Sequence, residues 1–136
     1  MTIGIEPARS ASQTEELMAD VVVIGAGLSG TLMAYELLPQ LRKDDRLSVI
    51  SQGAVYHFVP SNPWVAVGWR KRSDIEINLD EIMKRKGVRL LTQGARRVHP
   101  AENRVELGDG SSVPYDFLVV ATGPELAFDE IPGLGP

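Results

Sequence analysis

The sequence predicts an α/β fold: a parallel sheet with an antiparallel β-meander inserted as one of its crossovers. Three observations carry that prediction. Val21 to Ile24 are all β-branched, a run apolar on both faces, as a strand buried inside a parallel sheet requires. Gly25, Gly27 and Gly30 follow at G-x-G-x-x-G spacing and open an apolar helix. Short alternating stretches between turn signals then precede a second apolar run, Asp116 to Ala121, read as another buried strand.

Residues 1–19 mix Ser, Thr, Glu and Arg without clear periodicity. They read as a flexible lead-in, with room for a short helical turn around Glu15 to Met18, ahead of one domain over 20–136. Asp20 to Ile24 is the first strand and Leu28 to Leu38 the first helix. Leu28, Leu32 and Tyr35 share one face, Ala34, Leu37 and Leu38 lie beside it, and Glu36 is the only charge between Val21 and Leu41. The pattern predicts a helix buried around most of its circumference. Pro39 marks its end. After a charged turn, Leu47 to Ile50 forms a second strand and closes a right-handed βαβ unit.

The three glycines have separate roles. Gly25 permits the tight turn, Gly27 lets the backbone approach a ligand, and Gly30 lets the helix lie against the strand. Such a helix start presents unpaired N–H groups and a positive dipole end, suited to a pyrophosphate. The plainer alternative is a strand–turn–helix that holds nothing. An acidic residue usually ends the second strand of a dinucleotide site. Ser51 and Gln52 stand there instead. They can hydrogen-bond ribose oxygens more weakly than a carboxylate, and no arginine follows to accept a 2′-phosphate.

Gly53 to Arg72 holds Tyr56, His57, Phe58, Pro60, Pro63 and both tryptophans of the chain, Trp64 and Trp69. Prolines exclude a central strand or a helix interior, so a loop pinned by packing is expected. Two readings stay open: a loop folded over a flat ring system, or a surface loop anchored by its aromatics in the core. Arg70, Lys71 and Arg72 read as a solvated rim.

Ser73 to Gly87 reads as a helix capped by Asn78, with Asp80 and Glu81 early, Lys84 to Lys86 late and Gly87 as the stop. Leu79, Ile82 and Met83 form its apolar stripe. Val88 to Leu91 is a third parallel strand. The meander runs Ala95 to His99, Arg104 to Leu107 and Ser111 to Pro114, with turns at Pro100 to Asn103 and Gly108 to Gly110. Residues 125–136 are a proline-rich loop.

Composition narrows the classes. A net charge of −4 over 136 residues argues against nucleic acid as a partner. No apolar run reaches the roughly 18 residues of a membrane span. Nothing near the start resembles a signal peptide, so a soluble chain is expected. With no cysteine, the chain carries neither disulfides nor thiolate chemistry of its own. His57 and His99 lack ligand-spaced companions, so no metal site and no catalytic residue is assigned.

The order of these signals resembles the N-terminal part of the FAD domain in the two-dinucleotide-binding-domain disulfide reductase superfamily, a Rossmann-like fold. There an A-T-G signal, here Ala121-Thr122-Gly123, touches the FAD again from a neighbouring strand. The segments Phe58 to Gly68, Tyr115 to Pro124 and Leu126-Ala127-Phe128 are similar to sulfide:quinone oxidoreductases and flavocytochrome sulfide dehydrogenases. The Pro-Ser-Asn-Pro-Trp loop is the most specific of them.

The resemblance implies that Gly25, Gly27, Leu28, Ser29 and Gly30 hold the FAD pyrophosphate and that Ser51 and Gln52 hold the adenosine ribose. Arg97 and Val98 would lie against the adenine, and Pro60, Ser61 and Asn62 would approach the isoalloxazine. Ala121, Thr122 and Gly123 would support the phosphate side. The family oxidises sulfide and passes electrons through FAD to a membrane quinone, using cysteines and C-terminal membrane-attaching helices that this chain does not contain. The chain therefore reads as an N-terminal part of a peripheral membrane enzyme, inactive alone, its fold incomplete at the C-terminal end. The strand at Phe117 to Val120 should then form an exposed sheet edge that favours self-association. Other readings are the FAD part of a type II NADH dehydrogenase, or a nucleotide-binding module without turnover.

Overall fold

The computed structural model describes residues 18–125 and 127–133. Residues 1–17 of the expected lead-in over 1–19, and Leu126 and residues 134–136 of the expected C-terminal loop, lie outside the described residues. In chain order the elements are β1 (Asp20–Ile24), α1 (Leu28–Leu37), β2 (Arg46–Ile50), β3 (Val55–His57), α2 (Asn62–Ala66) and β4 (Glu76–Asn78). They continue with α3 (Leu79–Arg85), β5 (Arg89–Leu91), β6 (Ala95–His99), β7 (Arg104–Leu107), β8 (Ser112–Pro114) and β9 (Phe117–Val120).

A four-stranded parallel sheet in the order β5-β2-β1-β9 is the middle layer. Because strand side chains alternate, β1 divides its burial between two faces. Val21 and Val23, with Leu47 and Val49 of β2, meet Ala34 of α1 and Leu79 and Met83 of α3. Val22, Ile24 and Ile50 face the opposite way and pack on Val105, Leu107 and Val113 of the antiparallel sheet β6-β7-β8. This helix–sheet–meander order is the α/β architecture the sequence predicts. Each fully buried Val or Ile here contributes about 1.5–3 kcal/mol relative to exposure.

Four local expectations are corrected. Helix α1 is not buried around its circumference: only Gly30 and Ala34 are, while Leu28, Leu32 and Met33 are exposed. The smallest side chains, four residues apart, let the helix lie close to the sheet, and the leucines that looked like its inner face turn outward. The helix stops at Leu37, and Pro39 sits in a 3-10 turn over Leu38–Gln40.

The Ser73 to Gly87 helix is shorter than expected. Its first half is a 3-10 turn over Arg72–Ile75 followed by β4, which pairs antiparallel with β3. Asn78 sets the true start: its extended backbone and its side chain, which accepts from the amides of Asp80 and Glu81, cap α3.

The aromatic loop is partly regular. Pro60 and Pro63 fall in the first turns of a 3-10 segment (Val59–Ser61) and of α2, where a missing N–H costs nothing. Its tryptophans do not anchor it in the core, since Trp64 is 41% and Trp69 77% exposed.

Strand β9 is not buried as its apolar run taken alone implied, but it is the exposed sheet edge expected from the resemblance. It takes the edge of the sheet, leaving Phe117 and Val120 both 64% exposed. No helix among the described residues is long and apolar enough to cross a membrane.

Candidate functional site

A cleft of about 480 Å³ opens at the C-terminal ends of β1 and β2, where open α/β sheets bind ligands. Its floor is the turn from Ile24 to Gly27, its far end is Ile50 to Gln52 with Gly94 and Ala95, and Thr122 closes the β9 side. The β3 strand and Val59 form the facing wall.

The turn is braced from both sides. Gly25 N–H donates to Ile50 O at 2.8 Å, and Ala121 N–H donates to Ile24 O at 2.8 Å. Gly25 has φ +102, and a Cβ there would meet the Ala121 carbonyl. A Cβ on Gly30 would strike the Gly25 carbonyl, so the first helical turn is pressed against the loop. Gly27 differs: a Cβ on it would meet nothing within 4 Å. It lines the cleft, at the N-cap of α1.

The start of α1 has no side-chain cap and no acidic residue in its first turn. Its leading amides are therefore left to a ligand or water, at the positive end of the helix dipole. Among the described residues no acidic side chain lines the cleft, and Tyr56 and His57 are the titratable ones that do. The residues present fit a diphosphate. The charged groups held firmly by neighbours lie elsewhere. Arg42, together with the backbone amides of Ala19 and Arg42, holds the Asp45 carboxyl down to about 2. On the meander, hydrogen bonding to His99 lowers Glu106, and Arg104 lowers Glu102.

Of the residues singled out in the sequence, Gly25, Gly27, Ser51, Gln52 and Thr122 come together on the cleft. Leu28 and Ser29 are exposed on the first turn of α1, and Gly30 is buried behind it. Ala121 and Gly123 flank Thr122. The backbone at the far end is tightly drawn: Ser51 N–H donates to Leu91 O and Gly94 N–H to Ser51 O, at 2.8 and 2.9 Å.

Pro60, Ser61 and Asn62 are not on the cleft wall; their neighbour Val59 is. Ser61 is 2% exposed and its hydroxyl accepts from Arg70 at 3.3 Å. Arg97 and Val98 are not on the wall either. Ala95 takes that position, and Val98 packs into the meander core.

Val55, Tyr56, His57 and Val59 line the facing wall; the sequence assigns none of them to the cofactor, although Tyr56 and His57 belong to its aromatic segment. His57 Nε2 lies 3.1 Å from Glu76 Oε1 and 3.2 Å from an Arg72 guanidinium nitrogen. The signal available in the sequence was the alternation Val55-Tyr56-His57, hidden by the prolines that follow.

A family model described as pyridine nucleotide-disulphide oxidoreductase matches residues 10–135. A sulfide-quinone reductase of Aquifex aeolicus is 37% identical over 108 residues, covering 79% of this chain and 25% of that protein. The crystal structure of the Aquifex aeolicus sulfide:quinone oxidoreductase superposes with a TM-score of 0.76 at 35% identity, over 81% of this chain and 25% of the other. An NADH dehydrogenase-like protein of Mycobacterium tuberculosis is 30% identical over 121 residues, 86% of this chain and 30% of its own length. The chain thus spans about a quarter of the length of such relatives.

Proposed function

The chain belongs to the pyridine nucleotide-disulphide oxidoreductase family, whose members are FAD-binding flavoproteins, and from that premise we propose that it is the FAD-binding part of a sulfide:quinone oxidoreductase. One observation carries the cofactor reading: an uncapped, acid-free helix start opens on a cleft at the strand ends, with Gly27 facing open space. On this reading the amides that begin α1 hold the diphosphate, Ser51 and Gln52 meet the ribose, and Thr122 supports the phosphate side. The β3 wall and Val59 cover the ring. The flavin supplies two-electron transfer when bound; this chain's residues bind, orient and shield it.

The sulfide reading rests on the Phe58 to Gly68 segment and on the identity to the Aquifex aeolicus enzyme. Sulfide and a membrane quinone are the proposed substrates of the whole enzyme. With no cysteine, the chain offers no thiolate to attack sulfide, so turnover is not expected of it alone. A type II NADH dehydrogenase is the second reading, favoured by the Mycobacterium tuberculosis relative.

Purifying the chain with added FAD tests the cofactor: bound flavin bands at about 370 and 450 nm are expected. A colourless chain that leaves FAD fluorescence unchanged refutes it. Sulfide and NADH, offered in turn to the enzyme that contains this domain, separate the substrates by which one bleaches the flavin. The exposed edge of β9 is proposed to pair with a second copy; sedimentation that finds only monomer at high concentration excludes that pairing.

A further inference from the structure

The segment between β3 and β4 presents a surface the cleft does not use. Val67 is 62% and Trp69 77% exposed, with Trp64 beside them at 41%; none of the three lines the cleft. The protrusion is ordered. Trp69 and Arg70 N–H both donate to Trp64 O, at 2.8 and 3.1 Å, and Gly68 N–H donates to Val65 O at 3.1 Å. The Arg70 guanidinium stacks over the Trp64 ring at 5.3 Å while donating to Ser61.

Charge sets this surface apart. The chain has 18 Asp and Glu residues and a net charge of −4, yet none of those acids falls between residues 46 and 73. Arg70, Lys71 and Arg72 follow the second tryptophan directly. Arg72 is tied to Glu76 at 3.2 Å, so the cationic character beside the tryptophans comes from Arg70 and Lys71.

We propose that this protrusion docks on the interface of an anionic bilayer. Trp64, Val67 and Trp69 enter the boundary between headgroups and acyl chains, and Arg70 and Lys71 meet lipid phosphates. Indole rings favour that boundary, being apolar in body with one N–H to satisfy. Weak apolar insertion joined to a basic cluster is the combination that gives reversible attachment. The pre-formed turn avoids an ordering cost on contact. The inference is independent of the flavin reading.

Both tryptophans of the chain lie in the surface, so their emission reports it directly. The full chain is mixed with phosphatidylglycerol and with phosphatidylcholine vesicles at low salt. A blue shift, quenching by brominated lipid and pelleting are expected with phosphatidylglycerol, and several-fold weaker binding with phosphatidylcholine or added salt. The double variant Val67→Ser, Trp69→Ser should lose most of the binding with its melting temperature unchanged. If it unfolds, Lys71→Glu decides, with binding reduced several-fold. Unshifted emission with phosphatidylglycerol, equal binding to both lipids, or variants that bind as the parent chain does would overturn the proposal. So would vesicle-free dimerisation lost in Trp69→Ser, which assigns the surface to a second copy.

Discussion

Gly25 and Ala121 meet so closely that a Cβ on the glycine would collide with the alanine carbonyl. The two glycine-bearing signals, about a hundred residues apart in the chain, are therefore one contact, formed where β1 and β9 end side by side. Substitutions at the two cleft glycines should separate folding from binding. Gly25→Ala imposes a left-handed φ on alanine, about 1–3 kcal/mol of strain, and adds the backbone collision. Gly27→Ala meets nothing, so its melting temperature should match the parent chain while FAD affinity falls. Thermal melts and a FAD fluorescence titration of both variants check this.

An exposed leucine of α1 and a buried leucine of α3 predict unequal sensitivity. Leu32→Ala removes an exposed side chain and should change stability by no more than about 0.5 kcal/mol. Leu79→Ala in α3 empties a site that is 1% exposed and should cost about 2–5 kcal/mol. Urea denaturation of the two variants gives the comparison.

Asp45 predicts an acid-side effect. Its carboxylate accepts from Ala19 N–H and from Arg42, and its folded value of about 2 lies below the ordinary 3.8. A depressed value means the contribution is complete above the ordinary value and is lost as pH falls through the folded one. Asp45→Asn should therefore lower the melting temperature at neutral pH. The gap from the parent should close as pH falls from about 4 toward 2, read by melting curves at stepped pH.

Asn78 predicts a cap effect. Its side-chain oxygen accepts from Asp80 N–H at 3.0 Å and Glu81 N–H at 3.4 Å. Asn78→Ala should cost about 0.5–2 kcal/mol, and Asn78→Asp much less. Hydrogen exchange at the Asp80 and Glu81 amides localises the loss to the first turn of α3.

What the sequence determined by itself was whatever a local pattern specifies. Four β-branched residues in a row favour a strand, and glycines at fixed spacing shape one turn. Asn78 followed by two acids caps a helix, and the meander follows from its alternation and turn residues. Those signals located the parallel strands, the antiparallel insert and the glycine turn that opens α1.

Only the tertiary structure decided which surfaces were covered. An apolar residue states a preference for burial but not whether a partner exists, so Leu28 and Leu32 looked inward until Gly30 and Ala34 proved to be the seam. Phe117 and Val120 belong to a strand with a neighbour on one side alone among the described residues, an edge that the resemblance implied and the apolar run by itself did not. The β3–β4 pair joins residues about twenty apart through backbone bonds that no local periodicity records. It brings Tyr56 and His57 to the cleft wall and leaves Pro60 to Asn62 beside it. Secondary structure is a short-range choice; burial depends on what the rest of the chain brings alongside.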